Sequence, residues 1–230
     1  MKSGWCLAIV SLLTAIPAAA QTGPALLRVN PGPKRNFYAD GSETQGCPAL
    51  TAACRRRAFV VPGDQLVSYS HEGDFTYVAF VGRDGRPTRG WIETSALTIM
   101  TLPPFKSRDW LGSWQSWDAS IRIAQTRGVG MFRVEGDATW GGHDPGRVAI
   151  GAVNLGDFGL DLRLNARHAA FTVGEGAIGA GPYSNIALPY DDLDDYRCKI
   201  DLQLLGPYLI ADDNHQCGGV NVSFGGVYRR

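Results

Sequence analysis

Between residues 109 and 117 the chain reads Asp-Trp-Leu-Gly-Ser-Trp-Gln-Ser-Trp, which places Trp110, Trp114 and Trp117 within eight residues. Burying an indole is worth on the order of a few kcal/mol, so this stretch cannot lie open to water. It predicts an inward-facing element, the opening strand of a closed β barrel. What precedes it is then a separate, smaller unit.

The remaining sequence is punctuated as an all-β chain. Its 29 glycines and 13 prolines are scattered among short apolar runs, which is how many short strands and turns are written. With 44% hydrophobic residues the chain can build real cores, so disorder is excluded. Lys plus Arg equals Asp plus Glu at 22 each, leaving no global field to attract nucleic acid. Nucleic acid is therefore not an expected partner.

Residues 1–20 have the form of a secretory signal peptide. Lys2 gives the positive start, Trp5 to Ile16 the apolar core, and Pro17-Ala18-Ala19-Ala20 the small-residue cleavage pattern. The apolar run is short for a membrane span, so a periplasmic or secreted protein is expected after cleavage. Cleavage removes Cys6 and leaves Cys47, Cys54, Cys198 and Cys217. An even count in an oxidising compartment predicts two disulfides, and local pairing, Cys47 with Cys54 and Cys198 with Cys217, suits two modules. Neither pair has the C-x2-C spacing of a zinc site.

The expected organisation is a signal peptide (1–20), a linker (21–36), a first β module (37–100), a proline-rich linker (101–108) and a barrel (109–230). In the first module, strands around Leu66-Val67-Tyr69, Phe75 to Val81 and Gly90-Trp91-Ile92 are separated by Pro62-Gly63-Asp64, Gly73-Asp74 and Asp84-Gly85 turns. In the second, period-two alternation predicts eight antiparallel strands: the Ile121-x-Ile123 strand, then Met131 to Trp140, Arg147 to Val153, Phe158 to Leu164, Ala169 to Val173, Tyr196 to Leu205, Tyr208 to Ala211 and Val220 to Tyr228. Closing them as an up-and-down barrel removes exposed sheet edges.

The run Gly63-Asp64-x-Leu66-Val67, Gly73-Asp74-Phe75-Thr76-Tyr77-Val78 and Gly90-Trp91-Ile92 followed by Leu97 resembles a bacterial SH3-like (SH3b) domain. That resemblance implies a small barrel acting as a wall- or peptide-binding adaptor, and with it the expected partners are a peptidoglycan fragment, a peptide or an envelope protein. The Cys47-to-Cys54 insertion departs from the pattern beside the expected ligand groove. Gly112-Ser113-Trp114 with the Ile121-x-Ile123 strand is similar to the start of calycin barrels such as lipocalins and avidins. There a basic residue of the last strand packs on the tryptophan, and Arg229 and Arg230 are the residues available for it. The closing segment from Cys198 resembles the end of a family of exported proteobacterial proteins, which supplies no chemistry.

The catalytic vocabulary is missing: there is no Gly-x-Ser-x-Gly elbow, the mature cysteines pair off, and His71, His143, His168 and His215 all fall at or beside turns or loops. No enzymatic activity and no cofactor are expected. Asp191, Asp192, Asp194 and Asp195 form the densest charge cluster, to be read as a weak Ca2+ candidate or as a solvated loop. Arg55-Arg56-Arg57 is either an exposed edge or a patch for anionic wall polymer. The candidate ligand contacts are Tyr77, Trp91, Trp114 and Trp140, and two roles stay open for the barrel aromatics, cavity lining and core filling. The expected function is an exported, noncatalytic cell-envelope binding protein. An inhibitor of a wall-degrading enzyme and an envelope hydrolase are the alternatives.

Overall fold

The computed structural model describes residues 23–82, 84–175, 185–190 and 193–230. The signal-peptide region therefore lies outside the described residues. Two antiparallel sheets with two separate cores account for nearly all regular structure.

The first sheet contains β1 (Ala25–Val29), β2 (Arg35–Tyr38), β3 (Arg55–Val60), β4 (Gln65–Glu72), β5 (Phe75–Val81), β6 (Pro87–Glu93) and β7 (Leu97–Ile99), in the spatial order β3-β2-β6-β5-β4-β1-β7. The stretch expected as a linker over 21–36 therefore contains strand β1 and the start of β2. Ala25–Val29 pairs with both β4 and β7, and its side chains are buried except for Arg28. The sequence Pro31-Gly32-Pro33 is the turn between two strands, and its density of breakers concealed the strand before it.

Several strands here are buried on both faces. Leu27, Val29, Leu66 and Val78 point into the first module's own core. Their neighbours Leu26, Val67, Ala79 and Val81 point the other way, onto Leu205, Tyr208, Ile210 and Val227 of the second module. A strand covered on both faces reads as a near-continuous apolar run, which is why β5 is Phe-Thr-Tyr-Val-Ala-Phe-Val. The two modules thus share an apolar interface.

The second sheet contains β8 (Gly112–Gln115), β9 (Ala119–Gln125), β10 (Met131–Trp140), β11 (Asn154–Arg163), β12 (His168–Gly174), β13 (Ile186–Leu188), β14 (Lys199–Leu205), β15 (Tyr208–Asp213) and β16 (Gly226–Arg229). Eight of these follow one another around the sheet in chain order. The three-residue β13 is a ninth, paired with β12 and reaching β11 through a parallel bridge between Leu160 and Asn185. With β16 also meeting β8 at Arg229 and Gln115, the barrel is nearly closed.

Three expected strands are corrected. Arg147 to Val153 is not one: Pro145–Ala149 forms a short helix, α1, whose Asp144 side chain caps the backbone N–H groups of Gly146 and Arg147. Asp followed by Pro is a helix-start signal that outranked the apolar alternation after it. The strand expected from Val220 begins only at Gly226, and the one expected from Tyr196 only at Lys199. The tryptophan stretch is likewise broken in three. Ser107–Trp110 is a 3-10 turn, Gly112 takes a φ of 134° that suits glycine, and β8 ends before Trp117.

Alternate residues of the barrel strands fill its interior. Trp110, Trp114, Ile121, Leu160, Phe224 and Tyr228 are among the completely buried members of one continuous cluster. Gly136 completes the fit, because a Cβ there would come within 2.1 Å of the Phe158 ring. Disulfides Cys47–Cys54 and Cys198–Cys217 form as the local-pairing expectation has them. No helix among the described residues is long and apolar enough to cross a membrane.

Candidate functional site

The four candidate aromatics separate into different environments. Trp114 on β8 has no exposed surface, donates its indole N–H to the Trp110 carbonyl at 2.9 Å, and carries the Arg230 guanidinium 4.2 Å above its ring. It is a core residue whose outer face is sealed by Arg230. Trp91 on β6 is buried as well, donating to Asp40 Oδ2 at 3.0 Å. Its ring braces Tyr77 edge-on, with centroids 5.1 Å apart. Tyr77 and Trp140, by contrast, are half-buried and line open depressions.

Those depressions adjoin each other in the cleft between the modules. The larger, about 760 Å³, takes Tyr69, Tyr77 and Arg89 from the first module and His168, Tyr190 and Asp201 from the second. The smaller, about 320 Å³, takes Arg86 and Arg89 from the first and Trp117, Asp118, Thr139 and Trp140 from the second. Arg89, Ser223, Gly225 and Gly226 line both, so the two form one continuous groove.

Local structure explains how these side chains arrive there. The β4–β5 register slips between Ser68 and Ser70, and the resulting bulge re-aims Tyr69. Its ring lies 6.4 Å from that of Tyr77. Desolvation pushes the Tyr69 hydroxyl pKa up, while the charge of the nearby Arg89 guanidinium pulls it back down. Across the groove His168 Nε2 stands 2.7 Å from Asp201 Oδ2. The groove floor is fixed from beneath by Asp213, a buried carboxylate accepting from Ser223 Oγ at 2.7 Å and from the Phe224 N–H at 3.0 Å.

The smaller depression is basic. Arg86 sits 5.1 Å over the Trp117 ring, against which His143 also stacks at 4.0 Å. Arg147 covers Trp140 at 4.3 Å. Asp118, a carboxylate of this lining, faces His143 at 3.6 Å.

A His–carboxylate pair performs nucleophilic catalysis only when it activates a hydroxyl or thiol within hydrogen-bond reach. Among the described residues, the hydrogen-bond partner of the His168 ring is Asp201, and that of His71 is Thr76, itself buried.

The acidic cluster is only partly described, since Asp191 and Asp192 lie outside the described residues. Asp194 accepts from Arg197 Nε at 3.1 Å and Asp195 from Lys199 Nζ at 2.9 Å, so both carboxylates face cations of their own chain. No group of three or more His, Cys, Asp or Glu among the described residues is placed to hold a metal ion. Sequence reasoning missed Tyr69, Arg86, Arg89, His168 and Asp201. They come from strands far apart in the chain, and only the bulge at Tyr69 has a local origin.

No family model matches this chain, and no curated protein does. Among solved structures it is similar to NlpC1 from Trichomonas vaginalis, with 13% identity, 55% of this chain and 45% of that one covered, and a TM-score of 0.26. The match spans less than half of that protein's length.

Proposed function

We propose that this chain is an exported, noncatalytic binding protein of the cell envelope, and that the groove between its two β modules is the ligand seat. The observation that carries this reading is the groove itself. It combines half-exposed aromatic rings with paired polar groups, and it lies between modules held together by an apolar interface, so its two walls are preorganised.

Supporting features come from the whole chain. The signal-peptide pattern at residues 1–20 and two disulfides suit an oxidising compartment outside the cytoplasm. The first module is read as SH3-like and the second as calycin-like. Arg230 on Trp114 is the kind of contact the calycin resemblance implies. A filled barrel moves the site from the barrel's interior to its outer wall. The ligand in this reading is a wall-derived fragment or peptide.

The test is sedimentation of the mature protein with purified bacterial sacculi. Wild-type protein is expected in the pellet. Replacing Tyr77 and Tyr190 together with alanine is expected to weaken the association about tenfold, equivalent to roughly 1.4 kcal/mol. Wild-type protein remaining in the supernatant would overturn the proposal.

A further inference from the structure

We infer that the smaller depression is an anion subsite, and that the ligand of the continuous groove is an oligosaccharide bearing a carboxylate. This inference rests on the groove being the ligand seat and adds the chemical class of what sits there.

The first argument is charge. Arg86 and Arg89 are exposed at the lip of the groove, and among the described residues neither has a carboxylate within salt-bridge distance. Asp118 is turned to His143. Two unpaired guanidiniums beside the hydroxyls of Ser116 and Thr139 and the amide of Asn221 make a site that lacks its negative partner. Arg86 is also held in place: it rests on the Trp117 ring, a contact that restrains the planar group, while Arg89 stands near the Tyr69 hydroxyl. A restrained guanidinium fork matches a carboxylate in two parallel hydrogen bonds.

The second argument is continuity. Arg89 lies where the two depressions meet, so an anion held there is attached to whatever occupies the larger one. That larger one offers the faces of Tyr69, Tyr77 and Tyr190 together with the side chains of Asp201, Gln203 and Asp212. Electron-rich ring faces attract the C–H faces of a sugar, and carboxylate and amide groups accept from or bridge its adjacent hydroxyls.

The test is calorimetric titration of the mature protein with two tetrasaccharides of equal length, hyaluronan tetrasaccharide, which carries carboxylates, and neutral chitotetraose. The acidic one is expected to bind at least about tenfold more tightly, and this advantage should shrink as salt is raised. Arg86→Gln, and separately Arg86→Lys, should abolish most of the advantage, so that each variant binds the acidic sugar about as tightly as it binds chitotetraose. Arg89→Gln should do the same, which keeps the test sound if one variant is poorly behaved. Equal affinity for the two sugars, or an advantage that survives both glutamine variants, overturns the inference. So does inorganic phosphate binding as tightly as the acidic sugar, which would make the site one for a free anion, or a hexaglutamate peptide outcompeting it. If neither tetrasaccharide binds while sacculi still sediment the protein, the oligosaccharide assignment falls and the groove remains the ligand seat. Failure with sacculi as well removes both.

Discussion

Trp114 and Trp117 lie three positions apart, yet they belong to regions that use aromatic surface in opposite ways. Trp114 is enclosed in the barrel with its N–H satisfied and its outer face covered by Arg230. Trp117 has left the barrel and stands half-buried in the groove between Arg86 and His143. The interior is filled, so its aromatics supply stability alone. The groove is open, so its aromatics cost little stability to change and are available for recognition. Under the proposed function, stability and recognition are therefore separable by mutation.

The strongest attempt to break that separation is Trp114→Ala. It should lower the unfolding free energy by about 3–5 kcal/mol, the range for a large aromatic removed from a packed core. Denaturant titration would register this as a lower midpoint with an unchanged slope. A loss below about 1 kcal/mol would mean that the barrel is not tightly filled. An intermediate effect comes from replacing Cys198 and Cys217 with serine. A loop of 19 residues in sequence separation corresponds to about 3 kcal/mol in the chain-entropy model. Because Cys217 leads into the Ser223 to Gly226 groove floor, this variant should also lose sacculus binding, the one place where the two properties are coupled. The smallest stability effect is expected from Tyr69→Ala, within about 0.5 kcal/mol because the residue is 39% exposed. Sedimentation with sacculi should nonetheless fall severalfold. A Tyr69→Ala protein that unfolds early and binds normally would invert the comparison.

What the sequence made legible follows the range of the interactions involved. Glycine and proline punctuation, period-two alternation in Leu160, Leu162 and Leu164, and cysteine spacing are local signals, and each led to the observed feature. Strand β1 was hidden because its pairing partners β4 and β7 lie tens of residues away, while the breakers at Pro31 to Pro33 lie next door. At Arg147 two local signals conflicted, and the capping aspartate with Pro145 won. The groove was the least legible part. Tyr77 and Trp140 were found as aromatics on strands, but Arg89 and Asp201 have no signature until two modules are brought face to face.

Closure also has a kinetic side. The first sheet joins β1 to β7, with Leu27 opposite Ile99, and the barrel seam joins β8 to β16, with Gln115 opposite Arg229. The shared interface then ties Gln65 to the hydroxyl of Tyr208. A chain emerging from its N-terminus thus holds the first member of every closing pair long before the second exists. Such long-range pairings make slow folders, because loop entropy is lost before contacts compensate it. Residues 226–229 act as a latch: until they arrive, the barrel has an open edge and the groove has no floor.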